Sequence, residues 1–233
     1  MFFYYDPTYI LVLIGVLISL AASGRVRSVF GRYSQVRSHS GMTGKEAAEK
    51  ILRANGIYDV QVQHVAGNLT DHYDPRSKVL RLSDATYQSA SVAAIGVAAH
   101  ECGHAVQHHV GYAPLKIRGA LVPVANLGST AAWPLIIVGL FIGGQTSMML
   151  INLGILLFSA AVLFQIVTLP VEFNASRRAV KVLENTGMLY PEEVDATKKV
   201  LGAAALTYVA GAAAMILQLL RLLILTGGRR RNE

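Results

Sequence analysis

Residues 91–111, SVAAIGVAAHECGHAVQHHVG, are the stretch on which the interpretation of the whole chain depends. Small and apolar residues dominate it until Gly111, and Pro114 follows, so it predicts a helix that ends near Gly111. Within it, His100 and His104 stand four residues apart, with Glu101 directly after the first. Side chains four apart project from one face of a helix, so both imidazoles can reach one ion and Glu101 can reach a water beside it. The pattern H-E-x-x-H therefore predicts a zinc site.

A catalytic zinc usually has three protein ligands, so a third must come from elsewhere. His108 is on the same helix face, but it lies about 12 Å along the axis from His100, too far to share an ion. The longer motif that supplies a further His is excluded, because Gln107 and Val110 occupy its Gly and His positions. The third ligand is therefore expected from another part of the chain.

Glu172, in TLPVEFNASRRAVKVLEN, is the best candidate. Two predicted membrane spans separate it from the His pair, so the chain returns to the same side. On a helix that begins near Pro170, Glu172 would share a face with small residues, which allow close approach to the metal helix. These residues are Ala175, Ser176 and Ala179. The alternative is a carboxylate near a helix start, stabilised there by the helix dipole.

The composition predicts a mainly α-helical membrane protein. Of 233 residues, 53% are hydrophobic and 15% charged, with mean hydropathy +0.43, whereas soluble domains are about 25% charged. The single Cys excludes a disulfide framework or a multi-Cys zinc ribbon. The net charge of +7 is spread along the chain beside apolar stretches, so it does not predict a nucleic-acid partner.

Four apolar stretches approach the roughly 20 residues needed to cross a bilayer: 8–23, 119–143, 148–169 and 200–225. The second and third are separated only by the polar residues 144–147. The chain is expected to begin with an anchor at 1–24, followed at 25–118 by a polar domain that contains a small β element and the H-E-x-x-H helix. A membrane hairpin is expected at 119–170 and a third-ligand helix and loop at 171–199. The last segment, 200–233, is expected to be a membrane helix with a basic tail. The anchor is interpreted as uncleaved, since no basic residue precedes it.

The distribution of Lys and Arg predicts the orientation. Residues 24–118 contain twelve and residues 171–199 contain five, against none at 144–147, so both polar segments are expected in the cytoplasm, at the plasma (inner) membrane. Four complete spans would put Arg229, Arg230 and Arg231 outside, against the rule. Either the longer segments decide the orientation, or the last helix is re-entrant or lies on the membrane surface.

The polar domain contains predicted elements before the metal helix. Thr43 and Glu46 form a capping box at the start of an amphipathic helix that Asn55 and Gly56 end. Alternating residues predict two or three strands near 60–64 and 79–82. Residues 78–83 are expected either as an edge strand that binds substrate through its main chain or as a structural hairpin. The substrate-contacting residues would be Val79, Leu80, Arg81 and Leu82.

At this point the chain resembles a known family, the YugP-type zinc-dependent membrane peptidases. The resemblance covers the N-terminal anchor, LTDHYDPRSKVLRLSDATY, AAHECGHAVQH and LPVEFNASRRA, in that order. It implies a zinc metallopeptidase with a zincin-like α+β domain at the membrane surface, His100 and His104 as ligands and Glu101 as catalytic residue. EFNASRRA is also similar to the E-x-x-A-D-x-x-A element of HtpX-type and CAAX-prenyl proteases, whose first Glu binds zinc and corresponds to Glu172. Ser176 replaces the Asp of that element.

The expected reaction is hydrolysis of a protein or peptide by a zinc-activated water, with Glu101 as general base and a gluzincin-like ligand set. His72 is a candidate for stabilising the oxyanion, as are Tyr73, Arg177 and Arg178. Cys102 is about 200° around the helix from His100 and is expected to pack in the core.

Two alternatives stay open. A site-two-type intramembrane protease would need its metal motif inside a spanning helix, and a non-catalytic zinc-stabilised scaffold or partner-binding protein would not need Glu101. The sequence does not indicate the oligomeric state.

Overall fold

The computed structural model describes residues 6–142 and 144–229. These residues form six helices and one small sheet. The helices are α1 (Tyr9–Tyr33), α2 (Gly44–Ala54), α3 (Val92–His109), α4 (Ala113–Ile142), α5 (Gly144–Thr186) and α6 (Pro191–Arg229). The strands are β1 (Gln61–His64), β2 (His72–Asp74) and β3 (Val79–Leu82).

Four of the helices, α1, α4, α5 and α6, are long and apolar enough to cross a membrane. The chain is therefore a mainly helical membrane protein. All four extend beyond the predicted apolar spans, and the polar residues 145–147 lie in the first turns of α5. Arg230 and Arg231 of the expected basic tail lie outside the described residues.

Helix α5 corrects one prediction. It continues through Pro170, so no new helix begins there, and Glu172 lies deep within one helix of 43 residues. Proline removes a single backbone hydrogen bond, a loss that a long helix in a packed or apolar environment tolerates. The alternative of a helix-start carboxylate at Glu172 is therefore excluded.

The chain divides into two compact units, of which the first contains residues 1–22, 116–169 and 207–233. In this unit α4 and α5 pack around apolar side chains such as Ile136, Ile151 and Phe158. Near the end of α6, Arg221 contacts Asp6, which precedes α1, at 2.8 Å between Nη2 and Oδ2. Helix α6 is one continuous helix of 39 residues.

The second unit contains residues 23–115 and 170–206. The capping-box prediction is confirmed: the Thr43 side chain accepts from the Glu46 backbone, and the Glu46 carboxylate accepts from the Thr43 backbone. Helices α2 and α3 pack on one sheet face, around Ile51, Leu80 and Leu82.

The sheet has the strand order β1-β3-β2, with β1 parallel and β2 antiparallel to β3. The central strand is therefore β3, whose main chain is paired on both sides. The expectation that Val79, Leu80, Arg81 and Leu82 form an edge strand open to substrate is wrong. In addition, Leu80 and Leu82 are fully buried.

Candidate metal centre

Helix α3 positions the two histidines. Ser91 caps its start by accepting from the Ala94 backbone at 3.2 Å. The helix ends just before Gly111, as predicted, and Gly111 has a left-handed conformation. His100 and His104 stand one turn apart, with their ring centroids separated by 4.9 Å. Both side chains are mostly buried, with exposed fractions of 13% and 12%.

Gly103, inside the motif, lies where the backbones of α3 and α5 approach closely. A Cβ atom at this position would lie 2.5 Å from the carbonyl oxygen of Ala175, a distance that real Cβ contacts do not reach. Ala175 and Ala179 on the facing helix are fully buried. Small residues on both helices thus bring Glu172, one turn before Ala175, to the His pair.

The three side chains form a compact cluster. One carboxylate oxygen of Glu172, Oε2, lies 3.3 Å from Nε2 of His100 and 3.4 Å from Nε2 of His104. The three potential ligand atoms all lie within 4.8 Å of one another. Atoms bound to a tetrahedral zinc at about 2.0–2.1 Å are separated by about 3.3–3.4 Å. The donor set fits a zinc ion, and both distances to the Glu172 oxygen have the separation expected of zinc ligands.

The second ring nitrogen of each imidazole is also engaged. Nδ1 of His100 lies 3.0 Å from the hydroxyl oxygen of Ser176. Nδ1 of His104 lies 3.0 Å from Oε1 of Gln107, whose amide nitrogen donates to the carbonyl of Val171 at 2.8 Å. With Nδ1 held in this way, each ring directs Nε2 into the cluster, a support that metal-binding histidines usually have.

The Gln107 amide also donates to Oδ1 of Asn174 at 3.0 Å. The same Asn174 oxygen accepts from Nε of Arg178 at 2.8 Å. Arg178 thus supports the hydrogen bonds around His104, and its guanidinium lies over the ring of Tyr112. The structure gives Arg178 these contacts and does not join it directly to the metal cluster.

The electrostatics of the cluster are those of a carboxylate held beside an imidazole. Burial disfavours a charged His104, but its hydrogen bond to Glu172 and the nearby carboxylate of Glu101 together raise the pKa of His104 above its ordinary value. Glu101 is itself buried and lies next to the cluster on α3. The two carboxylates thus favour a positive charge at the cluster.

Other candidates lie apart from the cluster. His72 is exposed on β2, where it contacts the Thr70 carbonyl at 2.8 Å and Arg81 at 3.4 Å. Its neighbour Tyr73 faces the opposite side of the sheet, and its hydroxyl lies 2.8 Å from Nδ1 of His108. Among the described residues, no contact joins His72 to the cluster, so its part in the reaction stays a prediction.

Burial, with the nearby Asp59 and Asp74 carboxylates, raises the pKa of Tyr73 to about 12, so its hydroxyl stays protonated. Cys102 is fully buried in the core, and its sulfur lies 3.5 Å from the Ala48 carbonyl, which confirms its predicted packing role. Burial also raises the pKa of the Cys102 thiol well above its usual range.

Comparison with known proteins identifies the family. Residues 8–227 match the model of the family described as "Putative neutral zinc metallopeptidase". The chain belongs to this zinc metallopeptidase family. It is also 49% identical over 216 residues, 92% of this chain and 95% of the other, to the "Putative membrane protease YugP" of Bacillus subtilis (strain 168). No solved structure matches the chain.

Two residues that support the candidate metal centre, Gln107 and Asn174, are absent from the sequence prediction. In the sequence, Gln107 stands out only because it breaks a longer zinc motif. Its position three residues after His104 was an available signal, because side chains three apart on a helix are neighbours. Asn174 had no such local signal, since its partner Gln107 lies on another helix.

Proposed function

We propose that the chain is a zinc-dependent membrane endopeptidase that hydrolyses peptide bonds with Glu101 as general base. The observation that carries this proposal is the cluster of His100, His104 and Glu172, in which the Glu172 oxygen lies at zinc-ligand spacing, 3.3 and 3.4 Å, from the two imidazole nitrogens. Membership in a zinc metallopeptidase family supports the same reaction class. The substrates would be membrane proteins or proteins near the membrane.

In the proposed mechanism, His100, His104 and Glu172 hold the ion. Zinc, when bound, supplies a Lewis acid that lowers the pKa of water and polarises a carbonyl. Glu101 accepts the proton of the water that attacks the scissile carbonyl and delivers a proton to the departing amine. Ser176 and Gln107 hold the two imidazoles through Nδ1, so that the rings do not turn away. No side chain needs to form a covalent bond with the substrate.

The cytoplasm is the proposed location of the centre, because twelve Lys and Arg residues in 24–118 and five in 171–199 favour that side. A cysteine placed at the exposed Ser40, in a Cys102→Ala background, tests this orientation. In intact cells it should resist an impermeant maleimide and react only after lysis. Labelling in intact cells would reverse the assignment.

The decisive test of the reaction compares the wild type with Glu101→Gln on an unfolded protein substrate, with zinc content measured in both. We expect both to hold zinc and the variant to lose about 100-fold or more of the cleavage rate. Glu192→Gln, which removes an exposed carboxylate from the first turn of α6, is the matched control and should cleave normally.

Two results would contradict the proposal. Equal cleavage by wild type and Glu101→Gln would remove Glu101 from the mechanism. If neither protein cleaves a broad panel of substrates at full zinc occupancy, a non-catalytic zinc-stabilised scaffold would be the better interpretation.

A further inference from the structure

A groove of about 650 Å³ lies between α5 and α6 in the second unit. Its walls are formed by residues between 173 and 185 of α5 and between 198 and 206 of α6. Gly202 helps to open it, because a Cβ atom at this position would meet only empty space. The hydroxyl-bearing Ser176, which contacts Nδ1 of His100 at 3.0 Å, is also part of the wall.

The polarity of the groove is graded along α5. Phe173 lies four residues after Leu169, where the apolar segment of the helix ends. Arg177 and Lys181 follow at four-residue intervals on the same helix face, each about 6 Å farther along the axis. Phe173, Arg177 and Lys181 are all exposed. An apolar end near the membrane segment thus changes, within two turns, to a cationic one.

Helix α6 has the same gradient on the facing wall. Leu206, within the apolar stretch predicted at 200–225, is 43% exposed. Lys198, two turns earlier in the chain, contacts Glu184 of α5 at 3.1 Å. This ion pair joins the two helices at the polar end of the groove. Among the residues that line the groove, Glu184 balances the charge of Lys198, so Arg177 and Lys181 leave the lining positive.

We propose that this groove binds one anionic phospholipid. Its phosphate would contact Arg177 and Lys181, and its acyl chain would lie along Phe173 and Leu206 toward the bilayer. Only a ligand that is apolar at one end and anionic at the other satisfies both ends of the groove. An apolar peptide segment would leave the two cations without a partner of opposite charge. The lipid would lie against Ser176, one side chain from the metal cluster.

The test measures lipid binding to the purified, delipidated full chain by native mass spectrometry, with phosphatidylglycerol and phosphatidylcholine as probes. A Glu101→Gln background makes the result independent of peptidase activity. We expect phosphatidylglycerol to bind more tightly than phosphatidylcholine. Removing both charges, by Arg177→Gln with Lys181→Gln, should weaken phosphatidylglycerol binding about tenfold or more. The variant Gly202→Leu, which fills the groove, should weaken the binding of both lipids.

The control variant Lys50→Gln with Arg53→Gln removes the same charge from exposed positions of α2 and should bind phosphatidylglycerol like the parent. Thermal unfolding checks that each variant is folded. Equal affinity of the groove and control variants for phosphatidylglycerol would overturn the proposal. It would also be overturned if Gly202→Leu impaired the binding of a peptide substrate and left phosphatidylglycerol binding unchanged.

Discussion

Gln107 shows how a single residue fixes the geometry of the centre. It is fully buried, accepts from the imidazole of His104 and donates to the backbone of α5 at Val171. The side chain therefore orients a metal ligand and fastens that ligand to the helix that carries Glu172. Ser176 likewise orients His100, at the position that Asp occupies in the E-x-x-A-D-x-x-A pattern.

Replacement of Gln107 by Ala should lower zinc affinity by about 10- to 100-fold, because His104 loses the contact that holds its ring. Gln107→Glu retains the acceptor for His104 and loses the donors to α5, so its zinc affinity should lie between that of Gln107→Ala and that of the wild type. Competition with a chromophoric zinc chelator measures both variants, with Gln63→Ala on β1 as an exposed control. Zinc affinity of Gln107→Ala equal to that of the wild type would contradict the positioning role.

The residues of the centre were predictable only where their relation is local. The spacing of His100, Glu101 and His104 follows from helix geometry. The prediction of Glu172 as the third ligand depends on two further arguments, the return of the chain across the membrane and a resemblance to other proteases. Gln107, three residues after His104, is its neighbour on the same helix, whereas Ser176 reaches His100 only through the contact between α3 and α5, which no local pattern describes.

At the scale of elements, the close packing of α3 on α5 holds the ligands together. The contact is between backbones, because the Cβ that Gly103 lacks would reach the Ala175 carbonyl oxygen. A carbonyl in a continuous helix cannot turn aside as the end of a flexible side chain can. The glycine of the motif is therefore a packing requirement.

Gly103→Ala should separate the two helices, lower stability by about 1–3 kcal/mol through overpacking and reduce zinc affinity. This loss should exceed the gain of about 1 kcal/mol that Ala brings to a helix interior. The control is Gly31→Ala in α1, where an added Cβ meets no atom within 4 Å. Thermal unfolding and zinc titration of both variants check this, and a Gly103→Ala protein as stable as Gly31→Ala would contradict it.

Element prediction succeeded for local signals and failed for pairing and continuity. The capping box at Thr43 and the end of α3 at Gly111 are encoded within a few residues, and both are present. The central position of β3 arises from parallel pairing with β1, which is determined by how the chain crosses over. Pro170 predicts a helix start, yet α5 continues through it because a long helix tolerates the loss of one backbone hydrogen bond.

For the molecule as a whole, the affinity of the centre for zinc should depend on pH. Zinc binds the neutral imidazole, so protons compete with the ion for His104. Burial opposes protonation, but the bond to Glu172 and the charge of Glu101 raise the pKa of His104. Zinc affinity should therefore fall as the pH is lowered, beginning above the range of an ordinary histidine.

The stability of the metal-free protein should change with pH in the opposite direction, rising as the pH is lowered. The raised pKa of His104 stabilises the folded, protonated form at low pH, and this contribution is lost as the pH rises through the folded pKa. Zinc titrations between about pH 8 and about pH 5, with thermal unfolding of the chelator-treated chain, measure both effects. A zinc affinity independent of pH would be inconsistent with this centre.

The central claim, that two histidines of α3 and a glutamate of α5 form one zinc site, is tested most directly by zinc X-ray absorption spectroscopy on the purified chain. We predict one zinc per chain with two imidazole ligands, the remaining ligands being oxygen and none sulfur, and loss of the bound zinc in Glu172→Ala. A sulfur ligand from Cys102, a third imidazole, or an unchanged spectrum in Glu172→Ala would contradict the claim.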